Sequence, residues 1–261
     1  MVLIFDLDGV LVGSTFFSDI LIEMLYQKFQ EQNLVVEKPV IFKEILKRFI
    51  EKLGAENKSI AYDWDFLIQE YLSEYNISWG CEIEQFFRSD ELINYIFLYT
   101  DTDILKWLLN KGYIMTILTN GLPKYQNHVI EKLKLPQYFK KIIMPNPKTI
   151  KIVKPYPEIF KMATKGFQGK HVMIGDSLYF DIYGANKAGY ETIWIYRRLS
   201  KKIKKLSIQA RTEKLNQNTE FLLKNILHSA PFLKLSPTQG ELIDFKPDYI
   251  IGTLQELKEL F

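Results

Sequence analysis

The chain has 261 residues, 47% of them apolar, which is enough for one large domain or two smaller ones around a sizeable core. Its single cysteine, Cys81, excludes an internal disulfide and fits a reducing compartment, and no apolar run approaches the roughly 20 residues of a membrane span. The formal charge of +3 is unevenly spread: residues 16–97 carry 8 Lys/Arg against 15 Asp/Glu, whereas residues 197–234 carry 10 against 2, an asymmetry that suggests separate structural units.

The first apolar run, Val2 to Phe5, is short and continuous, as in a strand buried on both faces of a parallel sheet. No basic region precedes it, and Asp6 and Asp8 interrupt it. It is therefore a poor signal peptide, and the reading is a soluble cytoplasmic protein. The strand ends in Asp6-Leu7-Asp8-Gly9. Two carboxylates at the carboxyl end of such a strand are costly unless a cation offsets them, and that end of an open α/β sheet lines the ligand crevice. Gly9 would let the backbone approach a ligand closely. Taken alone, Asp-x-Asp-Gly marks only a turn.

After Val12 the pattern turns helical. Ser14 or Thr15 is the candidate cap for a helix through Ser18 to Tyr26. Further helices are expected over Val40 to Leu53, ended by Gly54, over Trp64 to Tyr75, and from Glu82 to Tyr99. Residues 14–98 thus read as a helical insert without strands, with Cys81 inside it. From Asp103 strands and helices alternate. Tyr113 to Leu118 is a strand with Thr119-Asn120-Gly121 as its turn, and Pro123 opens the next helix. Lys141 to Met144 is a short strand, and Lys154-Pro155-Tyr156-Pro157 leads into a helix from Glu158 to Lys165. His171 to Ile174 is a strand followed by Gly175-Asp176-Ser177 and by Asp181, the candidate cap of a helix to Ala188. Thr192 to Tyr196 is the next strand. Such alternation predicts a parallel sheet with right-handed crossovers.

Residues 197–247 break the alternation, beginning with a basic run from Arg197 to Lys205 and continuing through a helix near Asn218 to His228. Tyr249 to Gly252 restores a strand, and Thr253 with Glu256 forms the capping box of a terminal helix. The basic run reads as a solvated face that packs electrostatically near the acidic helical block. Engagement of nucleic acid or an acidic protein through 197–205 is the alternative.

Parallel strands would bring Asp6, Asp8, Thr119, Asn120, Lys154, Asp176 and Asp181 to one sheet edge. The acids suit a hard divalent cation, most plausibly Mg²⁺, the lysine and hydroxyl suit phosphate oxygens, and a carboxylate facing a bound phosphate can act as a nucleophile. This ordered set resembles the four motifs of the haloacid dehalogenase superfamily. They are Phe5-Asp6-Leu7-Asp8-Gly9-Val10, Ile117-Leu118-Thr119-Asn120-Gly121, Lys154-Pro155-Tyr156-Pro157-Glu158-Ile159-Phe160, and Ile174-Gly175-Asp176-Ser177 through Asp181.

The resemblance implies a Rossmann-like α/β core over residues 1–13 and 99–261, with an atypical insert at 197–247, and an all-helical C1 cap over 14–98. It implies a Mg²⁺-dependent phosphatase acting on a small phosphorylated metabolite through an aspartyl-phosphate. Asp6 would be the nucleophile and Asp8 the general acid and base. Gly9, Thr119, Asn120 and Lys154 would hold the phosphoryl group, and Lys154 would also orient Asp6. Asp6, the Asp8 carbonyl and Asp176 would bind the metal, with Asp181 supporting them. Gly13 stands where many relatives carry an acid that shapes the flap between core and cap. Asp8 argues against the dehalogenase branch. A phosphomutase using the same intermediate, or a binding protein on the same scaffold, is the alternative. The resemblance is silent on the insert.

Overall fold

The computed structural model describes residues 1–16, 20–80, 82–233 and 242–261. The chain runs through β1 (Val2–Phe5), β2 (Val12–Ser14), α1 (Ile22–Glu31), α2 (Lys38–Gly54), α3 (Trp64–Ser73), α4 (Glu82–Arg88) and β3 (Ile96–Leu98). It continues through α5 (Ile104–Asn110), β4 (Ile114–Leu118), α6 (Pro123–Lys132), β5 (Lys141–Ile143), α7 (Pro157–Thr164), β6 (His171–Gly175), α8 (Gly184–Lys187) and β7 (Glu191–Ile195). It closes with α9 (Lys201–Lys204), α10 (Ile208–Asn216), α11 (Thr219–Ser229), β8 (Tyr249–Ile251) and α12 (Leu257–Leu260).

Six strands form one parallel sheet in the order β5-β4-β1-β6-β7-β8. All four residues of β1 are buried, as a central strand of continuous apolar character requires. Its side chains alternate between faces: Leu3 and Phe5 join the larger apolar core, while Ile4 packs with Ile159, Phe160 and Met173 on the other face. The chain moves outward from β1 through β4 to β5, then returns to the opposite side of β1 for β6. That reversal puts a crevice at the carboxyl ends of β1, β4 and β6, where ligands bind in open α/β sheets.

Two three-residue strands, β2 and β3, pair antiparallel and bracket the helical block, where the sequence predicts helix alone. Gly13 explains part of the difference, because the Phe97 ring lies over it, 2.3 Å from where a Cβ would sit. The predicted cap at Asp181 is also corrected. Ser177 caps the turn, accepting from the Phe180 N–H at 3.0 Å, and Asp181 is buried beneath the site. The predicted start of the first helix at Ser18 and Cys81 lie outside the described residues.

Residues 197–247 supply the crossover from β7 to β8. Their apolar stripe of Leu215, Leu222 and Ile226 packs with Trp194 and Ile250 over the sheet. The Thr212 hydroxyl accepts from the Ile250 N–H at 2.9 Å, and Arg211 pairs with Glu256 at 2.7 Å. Lys201, Lys202, Lys204 and Lys205 stand exposed. Among the described residues no ion pair joins them to the helical block, contrary to the electrostatic contact expected from the charge asymmetry. Core lysines of α6 take that place, Lys124 pairing with Asp63 at 2.6 Å and Lys132 with Asp90 at 2.9 Å. The physical reason is that α9 turns its one apolar residue, Ile203, toward the apolar cluster of the crossover, which leaves the lysines around it in solvent. No helix among the described residues is long and apolar enough to cross a membrane.

Candidate active site

A cleft of about 550 Å³ opens at the carboxyl ends of β1, β4 and β6. Asp6, Asp8, Gly9, Thr119, Asn120, Lys154 and Asp176 all line it, so the predicted residues of three strand ends and of the loop before α7 converge on one place. Asp181 lies just behind, fully buried.

Lys154 organises this group. It is 2% exposed, and its Nζ donates to Asp6 Oδ1 at 2.7 Å and to Asp181 Oδ1 at 2.6 Å. Burial alone would depress its ammonium, but Asp181 and Asp6 outweigh that and hold the pKa above the ordinary lysine value. The lysine is itself fixed through its backbone. Asn120 Oδ1 accepts from the Lys154 N–H at 2.7 Å, and Asn120 Nδ2 donates to the Lys154 carbonyl at 3.2 Å and to the Tyr62 hydroxyl at 2.7 Å. The Asn120 side chain thus clamps the lysine segment. Thr119 turns its hydroxyl to accept from the Gly121 N–H at 3.2 Å and remains on the cleft wall.

Asp6 accepts two hydrogen bonds, from the Leu7 N–H at 2.8 Å and from Lys154, and both fall on Oδ1. Oδ2 has no protein donor among the described residues. Burial raises the Asp6 pKa well above the carboxylate range, Lys154 pulls against that rise, and Asp181 and Asp176 add to it. Asp8 accepts from Gln126 Nε2 at 2.8 Å on Oδ2. Its pKa is also raised by enclosure, against the pull of Gln126 and Lys154. Asp176 is pushed up to about 7, first by desolvation and then by the charge of Asp181. Water still reaches Asp8 and Asp176 through the mouth of the cleft, so their desolvation reflects surrounding walls rather than complete burial.

Gly9 has φ +80°, and a Cβ there would sit 2.0 Å from Asp176 Oδ2. The glycine is therefore required by the neighbouring carboxylate as well as by its backbone conformation. The loop that carries it is braced by Arg197, whose Nε donates to the Gly9 carbonyl at 3.2 Å and whose Nη2 donates to that of Val10 at 2.7 Å. Nη1 of the same guanidinium reaches Asp101 at 2.8 Å.

Asp6, Asp176 and Asp181 each offer an oxygen within 4.8 Å of the others. Three clustered carboxylates, two of them with raised pKa, fit a hard divalent cation by donor chemistry and by the repulsion it would relieve. Both oxygens of Asp181 are already taken, by Lys154 and by the Ser177 N–H at 3.0 Å. It is thus suited to support a metal site rather than to face the ion.

Sequence reasoning missed Gln126 and Arg197 as site residues. Gln126 carried a legible signal, since it interrupts the buried stripe Tyr125, Val129, Ile130 of α6, with Leu122 just before it, by an amide. Arg197 was hidden inside a basic run.

A family model described as haloacid dehalogenase-like hydrolase matches residues 1–189. Among curated proteins, the chain is 29% identical over 196 residues to a glyceraldehyde 3-phosphate phosphatase of Pyrococcus furiosus, covering 74% of this chain and 79% of that one. The corresponding phosphatase of Pyrococcus abyssi is 28% identical over 74% of this chain and 80% of its own. Among solved structures, a HAD phosphatase from Thermococcus onnurineus superposes with a TM-score of 0.66 at 23% identity, covering 99% of this chain and 96% of that one, a likeness of fold.

Proposed function

The chain belongs to the haloacid dehalogenase-like hydrolases, and from that premise we propose that it is a Mg²⁺-dependent phosphatase cleaving a small organic phosphate monoester through Asp6. The observation that carries the reading is the asymmetry of the Asp6 carboxylate. Lys154 and the Leu7 N–H hold Oδ1, which leaves Oδ2 to attack phosphorus. The bond formed is Asp6 Oδ2 to phosphorus, and the bond broken joins phosphorus to the ester oxygen. Asp8, whose raised pKa favours a proton, gives that proton to the departing alkoxide. In the second step Asp8 takes a proton from water as the water oxygen displaces Asp6, releasing phosphate.

Thr119 and the Asn120 backbone bind the phosphoryl oxygens, and Lys154 keeps Asp6 oriented. Mg²⁺, when bound by Asp6, the Asp8 carbonyl and Asp176 with Asp181 behind them, supplies positive charge against the phosphoryl oxygens. Residues 14–98 act as the cap, a role supported by the cleft-lining Phe49, Tyr62 and Trp64 of that block. The cytoplasm is the compartment, in keeping with a chain whose single cysteine has no internal partner.

The test is phosphate release from a metabolite panel with Mg²⁺, repeated in EDTA and with Ca²⁺. Turnover should vanish in EDTA, return with Mg²⁺ and return poorly with Ca²⁺, whose looser coordination misplaces the phosphate. Asp6→Asn should lower turnover by at least ~10³-fold while leaving the fold intact. Undiminished release by folded Asp6→Asn, or in metal-free buffer, would overturn the proposal.

A further inference from the structure

The cleft divides chemically. Among its described residues every charged side chain, Asp6, Asp8, Lys154 and Asp176, belongs to the phosphate end. The rest of the wall is apolar or neutral, and its bulk is aromatic. Phe49 and Trp64 of the helical block stack at 5.9 Å between centroids, 9° from parallel. Phe180 rises from the turn after β6. Phe232, just past α11, also lines the cleft and packs edge-on to Tyr179 at 5.8 Å. The crossover between β7 and β8 therefore reaches the catalytic cleft, and it does so with a ring rather than with its lysines.

Resting on the phosphatase reading above, we propose that the substrate's alcohol half is an uncharged planar aromatic group, seated against the cleft-lining rings of the helical block, Phe180 and Phe232. A cleft of about 550 Å³ lies within the range that encloses a molecule of drug size. Phosphorylated amino acids and bisphosphates would bring a second charge onto a wall whose described residues offer no opposite charge, at the cost of desolvating it. A flat ring instead gains offset or edge contacts with Phe49, Trp64, Phe180 and Phe232, and such contacts add to simple area burial. An aryl alcohol and a nucleoside share this chemistry. Phe232 is a specificity residue under this proposal, because it meets the alcohol half and not the phosphorus.

The experiment compares benzyl phosphate, uridine 5′-monophosphate, ethyl phosphate, glyceraldehyde 3-phosphate and phosphoserine with the full chain and Mg²⁺. Benzyl and ethyl phosphate both release an alkoxide, so a difference between them reports the pocket more than leaving-group ability. Benzyl phosphate, the uridine ester or both should exceed ethyl phosphate in kcat/KM by about tenfold or more, the scale of hydrophobic pocket discrimination. The better of the two identifies the source of the ring. Phe232→Ala should narrow that ratio several-fold, mainly through KM. Calorimetry supplies a readout without turnover, in which benzylphosphonate should bind more tightly than methylphosphonate to the parent, with the gap reduced in Phe232→Ala. Equal rates for ethyl and aromatic esters, a preference for phosphoserine or the triose phosphate, or equal phosphonate affinities would overturn the aromatic assignment while leaving the phosphatase intact. Release from none of the esters, or from any wider panel, would overturn both.

Discussion

Replacing Lys154 with Met removes the one ammonium that lines the site among the described residues while keeping an unbranched side chain of similar length. The parent places that ammonium 2.7 Å from Asp6 and 2.6 Å from Asp181, with the lysine 2% exposed. Breaking a buried ion pair from one side typically costs about 3–5 kcal/mol, because the remaining charge is buried without a partner. That loss is the expectation for Lys154→Met in EDTA near pH 7.5. Its pH dependence follows from the carboxylates. Burial already raises Asp6, and Asp176 stands at about 7, while Lys154 pulls both down. Without the lysine both folded-state pKa values rise further above their unfolded values. The native variant then holds more protons than its unfolded chain between the ordinary carboxylate range and the raised values, so its stability falls as pH rises. The slope is about 1.4 kcal/mol per pH unit for each extra proton held. Acidifying from pH 7.5 to 5.5 should therefore shrink the variant's deficit relative to the parent, less steeply for Asp176, whose exposure to water screens it. Urea unfolding at both pH values, in EDTA and with m-values compared, measures it. A deficit below about 1 kcal/mol, or one that does not shrink on acidification, would refute the assignment of Lys154 as the cation that keeps these carboxylates charged.

Two further outcomes follow from the geometry around the cleft. Gln126→Leu removes the amide that donates to Asp8 at 2.8 Å, and a hydrogen bond to a charged group is worth about 1.5–3 kcal/mol. The variant should lose about 10- to 100-fold in kcat with a smaller change in KM, and its kcat–pH profile should shift toward higher pH because a donor that favoured the Asp8 carboxylate is gone. Asp65→Ala removes a buried carboxylate that accepts from Trp79 Nε1 at 2.6 Å, from the Ile83 and Glu84 N–H groups at the start of α4, and from the Tyr125 hydroxyl at 2.9 Å. Loss of that cap with four donors left to find water should cost about 2–4 kcal/mol in denaturant unfolding, and Asp65→Asn should cost less.

The central strand and its two acids were legible because a short, fully apolar run ending in paired carboxylates has few other uses. Thr119 and Asp176 were legible through their places at strand ends, and Lys154 through its place just before a helix. The paired β2 and β3 were not, because a three-residue strand is too short to establish a period of two. Val12-Gly13-Ser14 and Ile96-Phe97-Leu98 pair across the chain, a non-local contact that no window of the sequence contains. For Asp181 the local pattern gives a cap, because an acid before an apolar helix usually is one, and only the resemblance gives it a supporting place behind the metal. Its actual role depends on Lys154, 27 residues earlier, arriving at 2.6 Å. The basic segment misled for the opposite reason. Its lysines dominate the composition, but Leu215, Leu222 and Ile226 decide where it packs.

Hydrogen-bond saturation separates the groups suited to positioning from those proposed to react at this site. Asp181 has one oxygen on Lys154 and the other on the Ser177 N–H, and Asn120 spends its whole amide on Lys154 and Tyr62. Neither can turn without stranding a buried partner, which is the condition for holding geometry. Asp6 and Asp8 differ from them in the same respect. Among the described residues each has its protein bonds on a single oxygen, Oδ1 in Asp6 and Oδ2 in Asp8, and each lines the cleft. A nucleophile needs one oxygen fixed and the other available, and a proton carrier needs one oxygen anchored and the other able to meet the leaving group. The two aspartates of the first motif meet that requirement with different anchors, a buried lysine for Asp6 and an amide for Asp8. The two groups thus share the electrostatic pull of Lys154 but not their direct anchor, so each carboxyl group is held by a partner of its own.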